Sequence, residues 1–166
     1  ADELVDALQS PDVVRVDLTG DEYDLSDRPG VLVRNRAVTV EGTGGPRPPV
    51  LRVAAVPLDG GVRPGTLTFA KCSQVVLRGV RVEVADGPPD ADAVGHPVGV
   101  AMVDCPRVDV TECRFDPAGG AAAPVDDAVG LAVLGDPERP TEAAVRNCFF
   151  ALRRGAAVWF GGPVRA

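Results

Sequence analysis

The segment GVAMVDCPRVDVTECRF, residues 99–115, is followed at once by Asp116, so three carboxylates, Asp104, Asp109 and Asp116, fall within thirteen residues. Two carboxyl groups roughly 5–10 Å apart are what glycosidic-bond hydrolysis requires, one acting as acid and the other as base or nucleophile. These three are the candidate catalytic residues. Asp86, Asp90, Asp92, Asp126 and Asp127 lie in two stretches rich in Pro, Gly and Ala. Their oxygens are candidate Ca²⁺ ligands, although no EF-hand spacing is present. His96 is the single histidine and sits in GHP without a neighbouring orienting group, so it reads as a loop residue rather than a general base. Cys72, Cys105, Cys113 and Cys148 are spaced by 33, 8 and 35 residues, with no CxxC pair and no zinc-site pattern. They read as small buried thiols, with a stacked disulfide or a metal pair as the alternatives.

What positions these residues is a repeat. Five segments begin at glycine: GVLVRNRAVTV at Gly30, GTLTFAKCSQVVLRGVRV at Gly65, GVAMVDCPRVDVTECRF at Gly99, GLAVLG at Gly130 and GAAVWFGG at Gly155, with starts 35, 34, 31 and 25 residues apart. Period-2 alternation inside each marks strands with one buried face. Recurrence at this interval marks a solenoid or array. In the third unit Val100, Met102, Val108, Val110, Cys113 and Phe115 are predicted to be buried, with Asp109 and Arg114 exposed. The breaks at Cys105-Pro106 and Thr111-Glu112 are too short for crossover helices. The reading is therefore an all-β chain: a right-handed, single-stranded parallel β-helix of about five coils, roughly 20–25 Å tall at the usual strand spacing. Residues 85–98, 116–129 and 135–143 read as corner inserts. Residues 1–29 are expected to form an N-terminal cap and first strand, and 30–166 the coils. In the cap, Asp2 is the candidate N-cap residue of a short helix with Leu4, Val5 and Leu8 on one face.

The repeat also aligns outward ladders. Arg34, Ala70, Val103, Leu134 and Trp159 form one, and Leu32, Thr68, Ala101, Ala132 and Ala157 the next. Val158 and Phe160 are expected to point inward, with Val158 level with Met102 and Val133. The face grows more apolar toward the lone tryptophan, which makes Val103, Leu134 and Trp159 a candidate binding surface. A cover formed by the chain's own inserts is the competing expectation. Pro163 is expected to limit strand pairing beyond Trp159, leaving an edge for a downstream domain, a second copy or a protein or polysaccharide partner.

Composition narrows the classes. The net charge is −7, and 45% of residues are hydrophobic but only 4% aromatic. An acidic surface disfavours nucleic acid, and no apolar run approaches the ~20 residues of a membrane helix. No signal peptide is evident; cytoplasmic and exported locations both stay open. Lys71 is the only lysine, and the bias toward Arg, Ala, Gly, Pro and Val suggests a bacterial, GC-rich source. The chain is expected to be one domain of a longer protein.

With the helix LVDALQ, the strand VVRVDL, the turn GDEYDLS, the strand VTVEGTGG and the pattern of residues 99–115, the chain resembles the right-handed parallel β-helix proteins of the pectate-lyase-like superfamily. The resemblance implies the fold, and implies that an active member would cluster Asp, or Asp with Arg, on an outer sheet face. The polygalacturonase motifs NTDG and RIK, the pectinesterase strand and the pectate-lyase arginine motif are absent, and Asp126-Asp127 lies in a loop. The expected function is a non-catalytic binding or scaffold module that needs no cofactor. The alternatives are a lyase or hydrolase of acidic polysaccharide and a sensor or interaction domain of a signalling protein.

Overall fold

The computed structural model describes residues 1–28, 30–43, 45–57, 67–86, 97–118, 129–151 and 157–165. His96, Asp90, Asp92, Asp126 and Asp127 lie outside the described residues, as does the side chain of Asp86. The chain opens with helix α1 (Asp2–Gln9), whose apolar residues Leu4 and Leu8 are buried in the main core. Asp2 is inside the helix rather than capping it; Ala1 holds the N-cap position and makes no side-chain cap bond. The other end carries no basic residue in its last turn. A side chain from further along the chain supplies the charge. The Arg36 guanidinium donates to the carbonyls of Ala7, Leu8, Ser10 and Val13, with the Leu8 contact at 2.6 Å. The Ala7 and Leu8 carbonyls are orphan acceptors of the helix C-terminus, where a cation also complements the dipole, and Ser10 and Val13 lie in the chain just beyond it.

Strands follow in threes. A first sheet holds β1 (Arg15–Leu18), β4 (Ala37–Gly42), β7 (Gln74–Arg78), β10 (Arg107–Thr111), β13 (Thr141–Arg146) and β16 (Val164–Arg165), in that order and all parallel. A second rank holds β2 (Glu22–Asp24), β5 (Val50–Pro57), β8 (Arg81–Asp86), β11 (Arg114–Pro117) and β14 (Phe149–Phe150). A third holds β3 (Leu32–Arg34), β6 (Leu67–Ala70), β9 (Pro97–Val103), β12 (Val129–Leu134) and β15 (Val158–Gly161). Each strand thus pairs in parallel with the strand three places along. The second and third ranks join into one ten-stranded sheet through a short antiparallel contact, Val56 against Val98 and Pro57 against Pro97.

Alternation fills the interior. Val108 stacks between Val75 and Ala143, and Phe115 between Val82 and Phe150. The Phe115 and Phe150 rings lie parallel with centroids 4.8 Å apart. Val100, Met102, Val108, Val110, Cys113 and Phe115 are all buried, while Arg114 is exposed and Asp109 half-exposed, as the repeat requires. Fully burying one such side chain contributes about 1.5–3 kcal/mol.

The turns stack as well. Asn35, Lys71 and Asp104 adopt φ of 55°, 54° and 53°, and Gly79, Glu112 and Asn147 adopt 62°, 56° and 52°. This left-handed conformation costs a non-glycine residue roughly 1–2 kcal/mol. Hydrogen bonds between successive turns offset it: Lys71 N–H to Val103 O and Asp104 N–H to Leu134 O, each 2.8 Å, and Glu112 N–H to Arg146 O, 3.0 Å. At one corner no side chain fits, since a Cβ on Gly42 would lie 2.2 Å from the Gly79 carbonyl oxygen.

Three expectations change at the C-terminal end. Leu134 pairs with Gly161, and Trp159 with Ala132, so Trp159 is two residues out of the expected ladder. Val158 lies beside Leu131, and it is Phe160 that stands level with Val133. Val158 packs partly against the core, but Phe160 is 41% exposed. Finally, the tail beyond Pro163 does pair, Val164 with Thr141 and Arg165 with Glu142. The proline carbonyl, which needs no N–H, accepts from Thr141 N at 3.0 Å.

A candidate anion-binding cleft

The outer face of the second rank carries alternating charge. Its register sets Glu22, Val50, Arg81, Arg114 and Phe149 in one outward ladder, and Asp24, Arg52, Glu83 and Asp116 in the next. Strand alternation places both ladders on the same side. Arg52 reaches Glu22 at 2.8 Å, Glu83 at 3.1 Å and Asp24 at 3.2 Å. Burial alone would raise the Asp24 carboxyl, but hydrogen bonds from Ser26 and Arg52 outweigh it and hold the group below its ordinary pKa.

Asp116 is the centre of the arrangement. Its Oδ2 accepts from Arg81 Nε at 2.7 Å and from Arg114 Nε at 2.6 Å. The hydrogen bond to Asp116, followed by its Coulomb attraction, raises the Arg114 guanidinium above its ordinary value. The carboxylate is 4% exposed although it points outward, because the two arginines cover it. The Arg114 guanidinium carbon also sits 4.9 Å from the Phe149 ring centroid, a cation–π contact. In front of the pair lies a cleft of about 500 Å³ lined by Asp21, Glu22, Arg47, Pro48, Val50, Arg81 and Arg114. That volume is within the range of small-ligand sites.

The three candidate carboxylates are not brought together. Asp116 belongs to the second rank. Asp109 lies on the first sheet, accepting from Thr111 Oγ1 and from Arg146 Nη2 at 2.7 Å. Asp104 occupies a left-handed turn between β9 and β10. The candidate surface of Val103, Leu134 and Trp159 is also divided. Val103 and Leu134 are paired and half-buried, whereas Trp159 is 38% exposed over a different ladder. Thr68, Ala101 and Ala132 are fully buried, the two alanines within a second apolar cluster with Val98 and Val129. The small-residue ladder is covered rather than open.

All four cysteines are free thiols; three are buried and Cys148 is half-buried. Each sulfur lies near a carbonyl of the preceding repeat: Cys72 at 3.6 Å from Val33 O, Cys105 at 3.5 Å from Phe69 O, Cys113 at 3.5 Å from Leu77 O and Cys148 at 3.5 Å from Val110 O. Among the described residues no three His, Cys, Asp or Glu side chains are grouped to hold a metal ion. Among the described residues no helix is long and apolar enough to cross a membrane.

Sequence reasoning missed the arginine pair. The signal was present: VRVEV and CRFD place Arg81 and Arg114 at one repeat position, with a carboxylate two residues on in each. No protein-family model matches the chain, and neither a curated protein nor a solved structure matches it.

Proposed function

We propose that the chain is a right-handed parallel β-helix of the pectate-lyase-like kind, serving as a non-catalytic binding module of a larger bacterial protein, with its ligand seated in the cleft above β8 and β11. Pairing of every third strand, stacked left-handed turns and a helix packed at the N-terminal side all support the coil reading. One observation carries the functional part. Asp116, the candidate carboxylate beside a cleft, is buried beneath two guanidiniums and bound to both. Both contacts fall on its Oδ2, and a carboxylate held by two guanidiniums serves as their shared acceptor, so it positions arginines instead of transferring protons. Asp109, on the other sheet, is half-exposed and accepts from a single arginine, Arg146, and from Thr111.

The test is an assay for depolymerisation of pectin, polygalacturonate and alginate, with and without Ca²⁺. The module leaves all three intact. Cleavage that disappears in Asp109→Ala or Asp116→Ala would instead make the chain a polysaccharide-cleaving enzyme.

A further inference from the structure

The geometry points to a hydroxylated oxyanion, a sugar phosphate, sulfate or carboxylate, as the ligand of the cleft; this rests on the binding-module reading and names its ligand class. The argument starts from a placement that strand pairing disfavours. Arg81 and Arg114 stand directly opposite each other on neighbouring strands, where like charges repel. A single oxygen, Asp116 Oδ2, holds both by their Nε atoms. An arginine anchored through Nε keeps its two Nη groups for another acceptor, and two parallel guanidinium donors match a carboxylate or phosphate. Arg81 spends one Nη on Glu83 at 3.2 Å. Among the described residues, neither Nη of Arg114 meets a carboxylate, and Arg47, which also lines the cleft, has no ion pair.

The rest of the lining adds to this. Asp21 brings a carboxylate that pairs with no cation among the described residues, which suits an acceptor for ligand hydroxyls. Val50 and Phe149 sit at the ladder positions on either side of the two arginines, Phe149 being 56% exposed. Val50, in the lining, offers an apolar step to a ring, and Phe149 lies outside the lining, beneath the Arg114 guanidinium. Anion donors, a hydroxyl acceptor and flanking apolar surface together describe a charged sugar better than a bare ion. Fixing the guanidiniums in advance also lowers the ordering cost of binding.

The test is titration of the ¹⁵N-labelled protein at low ionic strength with glucose 6-phosphate, glucuronate and a glucose sulfate, set against glucose and inorganic phosphate. Amide shifts confined to β8, β11 and residues 45–50 should saturate with at least one charged sugar. That sugar should bind at least tenfold more tightly than glucose or phosphate alone. Arg114→Gln and Arg47→Gln should each weaken binding about tenfold, Arg47→Gln with thermal unfolding unchanged because it holds no ion pair among the described residues, and Arg146→Gln on the other sheet should have no effect on binding. Absence of saturable shifts with all three charged sugars overturns the proposal, as does equal weakening in the Arg146 variant. Glucose or phosphate binding as tightly as the charged sugars overturns the ligand class. Each of these is read separately from the depolymerisation assay, in which cleavage overturns the non-catalytic reading and leaves the oxyanion site standing.

Discussion

Cys113 shows how a single side chain is governed by its place in the stack. The residue is 2% exposed, and its sulfur lies near two carbonyls, Leu77 O at 3.5 Å and Thr111 O at 3.3 Å, which suit the protonated thiol. Burial, the largest influence, pushes this thiol up to about 12. In the unfolded chain it titrates near ~8.5. The folded state therefore binds the proton more tightly. The resulting stability is complete below about pH 8.5 and is lost as pH rises toward 12, at roughly 1.4 kcal/mol per pH unit. Denaturant unfolding at pH 7.5 and pH 10 should show the wild type losing about 2 kcal/mol more than Cys113→Ala over that interval. Equal losses would mean the thiol ionises freely in the fold. Asp116 carries the complementary lesson: period-2 alternation places it outward, but alternation says nothing of what lies over an outward group. Two long arginine side chains bury it from above.

Among elements, α1 depends on a residue outside itself. Its own sequence ends without a cation or a glycine cap, and the chain leaves through Ser10 in extended conformation. Arg36 closes the gap, reaching back from the turn that enters β4. Hydrogen bonds from a charged donor contribute about 1.5–3 kcal/mol, and four carbonyls share this one. Arg36→Ala should cost about 2–3 kcal/mol. Amide exchange in residues 5–10 should accelerate well beyond that in β10. Uniform loss of protection through both would show the helix and the sheets to be one cooperative unit. The amphipathic face of α1 was readable from Leu4, Val5 and Leu8. Its cap was not, because Arg36 lies 26 residues beyond Ser10 and no local rule links them.

For the whole molecule, the repeat made the stacking of β7, β10 and β13 legible, down to Val76, Asp109 and Ala144 falling level with one another. Strand β15 was misplaced by two residues. A slip of two keeps every side chain on its face, so alternation cannot detect it. Gly155 looked like the start of another repeat, but Leu134 faces Gly161, where a Cβ would come within 2.7 Å of the Leu134 side chain. The candidate site was hidden for a related reason. Three separate carboxylates drew attention, while the chemistry lies in the register that brings Arg81 and Arg114 onto one oxygen. Fold and site thus depend on the same parallel register. The most direct measurement is the set of interstrand nuclear Overhauser contacts across the first sheet. The backbone of Val108 should contact both Val75 and Ala143 in a parallel pattern, with Asp109 level with Val76 and Ala144. Antiparallel contacts, or Val108 level with Val76, would contradict the stacked-repeat account and the cleft that rests on it.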